Sequence, residues 1–401
     1  MSGASVRHHL DSSHESRAAR GFIWFAAQDW WYHNQAHSDF QLMKEVARSR
    51  PVLVVNSLGL RRPGPGISTN PGRRILRKLR SMTRFLRRPL PELPNFHVYT
   101  PLMLPVYGSN GPLYRLNALL IRCQVGLAAR LSGVPRAPAV GATIPTAWPV
   151  VEKMARSALI FNRSDLQSAF PEADGQWVAD LERQFLSHAD HVLYVSHELM
   201  RRDEPLVGAR SFFIDHGVDL DHFSKDGPVH PDIQEIPRPR IGFFGGLDDY
   251  VVDMKLLAGA ARALPQASLV LIGDATCPMD ELTELANVHW LGFRDYREIP
   301  SLGRGFDAAI MPWLDNEWIR FANPIKIKEY LALGLPVVTM DYPEVEAYRG
   351  QVRVAADRSA FVDELRAALA DPGAPDQRAQ FVRPYSWAGR AEALLEIAGE
   401  R

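Results

Sequence analysis

The sequence predicts an α/β protein made of two Rossmann-like, doubly wound domains that face a central cleft. Three observations carry this expectation. Short, nearly continuous apolar runs alternate with longer amphipathic segments, the pattern of parallel strands covered by helices on both faces. The series occurs twice, separated at 219–239 by DLDHFSKDGPVHPDIQEIPRP, a linker rich in Pro, Asp and His. A chain of 401 residues is also long for a single hydrophobic core.

Residues 1–19 are polar, lack an apolar signal-like run and read as a disordered tail. The N-terminal domain, 20–218, has strand candidates at 21–27, 51–56, 95–100, 137–142, 157–162, 191–196 and 211–215. Its helix-like segments are 38–49, 114–132 and 176–189. In the C-terminal domain, 240–384, the strand candidates are 240–245, 267–273, 287–292, 306–312, 335–340 and 351–355. Helical patterns there cover 251–264, 324–333 and 358–370. A last amphipathic helix falls in 385–401, where it can cross back to the N-terminal domain. In doubly wound sheets ligands bind at the carboxyl ends of the strands, so two such domains make a cleft with a donor on one side and an acceptor on the other.

Composition removes several classes. The formal net charge is zero, so the whole molecule is not a polyelectrolyte binder. Only Cys123 and Cys277 occur, without a CxxC, which argues against a disulfide scaffold or a cysteine zinc site and suits a reducing cytoplasm. No apolar run reaches the roughly 18–20 residues that span a bilayer. The 13 histidines form no HExxH, and neither a metal nor any other cofactor is expected. Neither GxSxG nor a GxGxxG after the first strand of either domain is found, which disfavours a serine hydrolase and a dinucleotide oxidoreductase.

The most informative stretch is RFANPIKIKEYLALGLPVV, 320–338. Asn323 can cap a helix and Pro324 suits its first position. Arg320 and Lys326 beside the free amides of a first turn favour an anion such as a diphosphate. Glu329 can accept hydrogen bonds from a ribose diol, as acidic residues do in nucleotide folds. The same residues also fit a plain amphipathic helix with a surface Lys–Glu pair. In the N-terminal domain, a strand enters the aromatic, polar loop QDWWYHNQAH. Trp30 and Trp31 offer flat apolar faces, and Asp29, His33 and His37 offer hydrogen bonds, the combination that sugars require; a packed aromatic cluster is the alternative. A second strand-end loop, FNRSDLQSAF, brings Arg163 and Asp165 toward the cleft, with a helix cap as the other reading of Asp165.

An insertion at 61–92 is strongly basic, with ten Arg or Lys and no acid between 61 and 88. On a helix starting at Arg73, Ile75, Leu79, Met82 and Leu86 form a narrow stripe opposite the arginines. The pattern over 73–88 fits an interfacial helix on an anionic membrane, or an ordinary helix with a solvated basic face. No stacking platform or recognition motif accompanies the charge, so nucleic acid is not an expected partner.

The segment around Glu329 resembles the signature of family 4 glycosyltransferases, where a Pro, a Lys and a Glu precede EYLA-G-PVV in a GT-B fold. SHADHVLYVSHEL (187–199), IDHGVDLDHF (214–223), IGFFGGLDD (241–249), SLVLIGD and NVHWLGF keep to the family's order. The resemblance is good over about 185–395 and loose before it. It implies that Glu329 binds the donor ribose, that Lys326 and the amides around Pro324 contact the diphosphate, and that Gly245 and Gly246 let the backbone approach the phosphates. Leu291–Phe293 would pass near the base. Asp165 then occupies a loop that often carries a catalytically relevant polar residue, with Lys326 as the second catalytic group. Many members have a second Glu eight residues before Glu329; here that position is Phe321. The glycine loop is also acidic, with Asp248 and Asp249 where basic residues often stand.

Together, composition and resemblance imply a cytoplasmic enzyme, peripheral on the inner face of the plasma membrane. It would move a hexosyl unit with retention from a nucleoside-diphosphate sugar, GDP-mannose or a UDP-sugar, to a polysaccharide, glycan or glycolipid acceptor. A GT-B sugar-nucleotide epimerase and a catalytically degenerate sugar-nucleotide or glycan-binding module remain as alternatives.

Overall fold

The structure is a computed structural model, and it describes residues 21–32, 36–59, 76, 80–104, 111–170 and 174–399. The N-terminal strands are β1 (Phe22–Phe25), β2 (Val52–Val55), β3 (Leu86–Arg87), β4 (Phe96–Tyr99), β5 (Ala139–Ala142), β6 (Ala158–Arg163), β7 (His191–Tyr194) and β8 (Ser211–Phe213). They form one sheet in the order β3-β4-β2-β1-β5-β6-β7-β8. All its pairings are parallel except β3 with β4. The C-terminal strands are β9 (Arg240–Phe244), β10 (Ser268–Ile272), β11 (Val288–Trp290), β12 (Ala308–Met311), β13 (Val337–Met340) and β14 (Arg353–Ala355). Their order, β11-β10-β9-β12-β13-β14, is parallel throughout. Both sheets therefore reverse direction beside their first strand, between β1 and β5 and between β9 and β12. Those two switch points are where doubly wound folds place ligands.

The principal helices are α1 (Ser38–Val46), α2 (Pro112–Leu131), α3 (Gly175–His188), α4 (His197–Val207), α5 (Met254–Ala263), α6 (Lys326–Ala332), α7 (Arg358–Ala370) and α8 (Trp387–Ile397). Strand burial explains the unbroken apolar runs: every residue of β1, β2, β5, β9, β10 and β12 is buried. Helices α2, α3 and α4 cover one face of the first sheet. Helix α1 covers the other, together with α8, whose Trp387, Ala391 and Leu394 pack with Phe22, Trp24 and Phe40. The chain thus ends on the domain in which it began. In the second domain α6 lies on one face, and α5 and α7 on the other.

Two local expectations change. The helix in the 320–338 stretch begins at Lys326, with Ile325 at its cap, so Pro324 is not its first residue and Asn323 does not cap it. The basic segment is not one helix to Leu86: residues 80–82 are helical, but Leu86 and Arg87 join the sheet as an antiparallel edge strand. Most of 61–79 lies outside the described residues.

Candidate active site

The C-terminal-domain half of the cleft is built on the loop after β9. Gly245 has φ +146°, a conformation that only glycine adopts freely. A Cβ there would stand 2.2 Å from Cε of Lys326, so the lysine stem crosses directly over the glycine. Gly273, after β10, likewise has φ +144°, and a Cβ on it would lie 1.9 Å from the carbonyl oxygen of Gly245. Two strand-end loops are thereby pressed together under the lysine. Helix α6 is fixed at this depth by Tyr330, whose hydroxyl accepts the amide of Phe244 at 3.0 Å.

Glu329 lies on the same short helix and is only 5% exposed. Neither Glu329 nor Lys326 makes a side-chain hydrogen bond or an ion pair among the described residues. Burial raises the Glu329 carboxyl to about 7, although Lys326 and Lys328 pull it back. Burial lowers the Lys326 ammonium, against the opposing charges of Glu329 and Asp248. A buried acid beside a half-buried lysine, neither with a direct partner, is costly unless something else satisfies it. Asp248, one of the unexpected acids, accepts the Thr276 hydroxyl at 2.6 Å. A Cβ on Gly246 would approach the other Asp248 carboxylate oxygen to 2.8 Å.

Asn323 and Arg320 do other things. Asn323 donates to the Val195 carbonyl at 2.7 Å and to Asp215 at 2.9 Å, tying the second domain to the first. Arg320 is exposed and lines a hollow with Trp313, Asp341 and Tyr342, whose lining includes neither Gly245, Lys326 nor Glu329. Phe321, at the place of the second family Glu, packs partly against the N-terminal core and lies 5.2 Å beneath the Arg202 guanidinium. An interdomain apolar contact has replaced an acid there.

The N-terminal-domain half gathers at the carboxyl ends of β1, β5 and β6. Asp39 is fully buried in the first turn of α1. It accepts from the Trp24 indole at 2.9 Å, the Ala27 amide at 2.9 Å, the Asn162 amide at 3.3 Å and the Thr143 hydroxyl. His37 caps α1, with Nδ1 3.4 Å from Oδ2 of Asp39. Burial lowers the imidazole pKa, but the bond to Asp39, its charge and that of Asp165 outweigh this, and the net shift is upward. Asp165 is partly buried and caps no helix; its carboxyl accepts the Ser164 hydroxyl at 3.2 Å. Burial pushes it up to about 6, against the pull of His37.

Other N-terminal candidates are structural. Trp30 is 2% exposed and packed at 5.2 Å from Phe40 and 5.1 Å from Phe96, so it is core and not a sugar platform. Trp31 lies under the Arg84 guanidinium at 4.4 Å and donates to Thr100 at 3.4 Å. Asp29 is buried and accepts the Ser81 hydroxyl at 2.6 Å and the Trp31 amide at 3.1 Å, which closes the loop on itself. His33 lies outside the described residues. Arg163 is 3% exposed, ion-paired to Glu182 and, at 3.2 Å, to Asp203. Glu182 in turn accepts the amides of Gln167 at 3.0 Å and Ser168 at 3.2 Å. Arg163 therefore anchors the loop that carries Asp165 instead of touching an acceptor. Arg163→Ala leaves two buried acids unpaired and is expected to cost about 3–5 kcal/mol in urea unfolding. On the folded fraction the KM for a nucleotide-sugar should be unchanged, whereas that for an acceptor should rise, because Arg163 also donates to the Asp165 carbonyl at 3.1 Å.

Several residues that carry the cleft escaped the sequence reading. Lys328, fully buried, pairs with Asp215 at 2.7 Å across the chain crossover. Glu344 accepts the backbone amide of His197 and its Nδ1 at 3.0 Å, so a C-terminal-domain carboxylate caps α4. His216, between Asp215 and Gly217, is driven down to about 4 by burial and then by Lys328, and it also feels His37 and Asp39. The 215–219 crossover thus runs between the two halves of the cleft.

Residues 238–371, which contain the Gly245–Lys326–Glu329 group, match the family model "Glycosyl transferases group 1". That match covers nearly the whole C-terminal domain and about a third of the chain. TuaH of Bacillus subtilis, a glycosyltransferase named for teichuronic acid biosynthesis, is 30% identical over 196 residues. That match spans 47% of this chain and 48% of TuaH, about half of each protein. Solved structures agree over nearly the whole length. Sucrose-phosphate synthase from Thermosynechococcus elongatus superposes with a TM-score of 0.63 at 15% identity, covering 94% of this chain and 96% of its own. Anabaena Alr3699/HepE in complex with UDP-glucose gives 0.58 at 15% identity, covering 94% of each chain. At these identities the likeness establishes the architecture, which is GT-B. No helix among the described residues is long and apolar enough to cross a membrane.

Proposed function

We propose that the chain is a retaining hexosyltransferase whose donor is a nucleoside-diphosphate sugar, bound in the C-terminal half of the cleft. The observation that carries this is the unpartnered pair of a half-buried Lys326, crossing over Gly245, and a buried Glu329 on the next turn of the same helix. A nucleoside diphosphate satisfies both groups at once: its phosphates meet the lysine and the glycine loop, and its ribose diol donates to the carboxylate. The HepE structures hold UDP with glucose, or UDP-glucose, which favours a UDP-sugar over GDP-mannose. The name of TuaH supports an acceptor in polysaccharide biosynthesis.

The acceptor hydroxyl approaches from the His37–Asp39–Asp165 side. The bond from the anomeric carbon to the phosphate oxygen breaks, the bond to the acceptor oxygen forms on the same face, and the acceptor proton passes to the departing phosphate. Lys326 stabilises the charge that develops on the diphosphate. Asp165, with its carboxyl at about 6, is mostly ionised at neutral pH and can accept a hydrogen bond from an acceptor hydroxyl.

A thermal-unfolding screen with UDP-, GDP- and dTDP-sugars tests the reading. A donor at about 100 times its Kd stabilises the folded state by about 2.7 kcal/mol, a shift of several degrees. Flat unfolding curves with all three nucleotide classes would remove the proposal. Donor binding without turnover on any acceptor would instead point to a binding module, the outcome that Phe321 in place of a carboxylate makes worth testing.

A further inference from the structure

Helix α2 is buried on one side only. Asn117, Ala118, Ile121, Val125, Ala128 and Ala129 face the sheet. Leu113, Leu116, Leu120, Leu127 and Leu131 recur three, four or seven residues apart and all face solvent, with Leu131 69% and Leu127 59% exposed. With Leu119 they cover an arc of about 120° along a helix about 30 Å long. The strap 101–104 extends this surface. Gln124 clamps Leu102 by its amide and carbonyl, each at 2.9 Å, and Asn117 binds the Leu104 amide at 2.9 Å. Leu102 and Leu104 therefore stand beside the helix with their side chains out, 46% and 37% exposed. Soluble surfaces rarely leave so many adjacent leucines in water without a use.

The charge around the patch has one sign. None of the twenty residues of α2 is acidic, and Arg115, Arg122 and Arg130 border the leucines. Arg122 and Arg115 also border a hollow that holds Glu152 and Asp180, which marks the limit of the basic zone on that flank. On the other flank Tyr99, which bonds Gln124 at 2.9 Å, pairs with Leu86 in the edge strand. That strand region presents Phe85, Arg80, Arg87 and Arg88, all exposed.

We infer that this face, α2 with the 101–104 strap, is a docking surface for an anionic lipid bilayer, lying in the interface plane. An amphipathic helix with leucines on one arc, Arg115 and Arg122 along one edge and Arg130 among the leucines near its end fits that boundary, where the apolar arc enters the acyl region and the cations meet lipid phosphates. The geometry also suits the cleft: α2 comes after β4 in the chain, so its first turn lies at the carboxyl ends of the strands, on the side where an acceptor enters. A membrane-bound acceptor would then reach the site without leaving its bilayer.

Co-sedimentation with vesicles of phosphatidylcholine, with and without phosphatidylglycerol, tests this on the full chain. The protein should sediment with the anionic vesicles only, and less as salt rises. The triple change Leu116→Glu, Leu120→Glu, Leu127→Glu should weaken binding by about a hundredfold or more, from the apolar burial it removes. The nucleotide-sugar thermal shift should survive in that variant, so failure here is distinct from failure of the donor reading. A second measurement uses the unsubstituted helix. Cys123 is exposed on the same arc, and an environment-sensitive fluorophore attached to it in a Cys277→Ser background should shift to the blue on anionic vesicles. Equal binding by the triple variant would overturn the inference, as would equal binding to uncharged vesicles. So would a vesicle-free dimer that the triple change dissolves, since the leucines would then be an interface between two copies.

Discussion

Glu329→Ala is expected to abolish the stabilisation that a nucleotide-sugar donor gives the protein. A charge-assisted hydrogen bond to a ribose hydroxyl contributes about 1.5–3 kcal/mol, so losing it weakens the donor by roughly 10-fold to 150-fold. The same residue makes a second, opposite prediction for the empty protein. The Glu329 carboxyl sits at about 7 in the folded chain against an ordinary 4.5, so between those values the folded state holds a proton that the unfolded state has released. Stability must therefore fall as pH rises through that window, by up to about 3 kcal/mol when fully developed. Glu329→Gln should then leave stability at pH 4 unchanged and raise it at pH 8, while abolishing donor binding at both. Calorimetric melts of the two proteins across that range, with and without donor, check both signs. A variant that binds donor normally would remove the carboxylate from the site altogether.

Lys328→Ala should lower stability by about 3–5 kcal/mol. The ammonium is fully buried, 2.7 Å from Asp215, and lies 5.5 Å from the Tyr348 ring and 5.6 Å from the Tyr385 ring. Removing it strands the Asp215 carboxylate, which among the described residues keeps only the Asn323 side-chain amide. Asp215→Ala should cost a similar amount by stranding the lysine. The paired change Lys328→Met with Asp215→Asn removes both charges and should recover most of the loss, which a double-mutant cycle in urea would read directly. If each single variant unfolds at the parental denaturant concentration, the pair is not what joins crossover to helix.

How much of this was legible beforehand depended on whether a residue's role was local. The alternating apolar runs reported both sheets, because β1, β2, β9 and β10 are buried on two sides and their sequences have no polar face to show. Glu329 and Lys326 could be singled out because their spacing around a glycine-ended helix is itself the signal. Lys328 could not be separated from its neighbours by composition, yet it occupies the buried face with Ile327 and Leu331. A charge on an apolar stripe is the trace of a hidden ion pair, and that trace was available. Trp30 and Arg163 were misplaced for the opposite reason. A strand-end loop rich in aromatics and charge reads as open to ligand, but Trp30 packs on Phe96, 66 residues away in the chain, and Arg163 pairs with acids on two later helices. Asp39 was hidden among ordinary first-turn acids; its four donors come from residues as distant as Asn162.

The chain passes between the domains twice, and the two passages touch. The Val218 amide donates to the Tyr385 carbonyl at 2.7 Å, and Val218 bridges Ser386 in parallel register. A Cβ on Gly217 would strike Trp387 at 2.6 Å. Two neighbouring tethers act as a hinge with two knuckles on one pin: the halves can swing apart about that line, but twisting and sliding would shear the knuckles. If the cleft takes a nucleotide-sugar as proposed, opening for entry and exit is expected to follow one angular coordinate, and shortening the chain before Ser386 should leave the door hanging by a single knuckle.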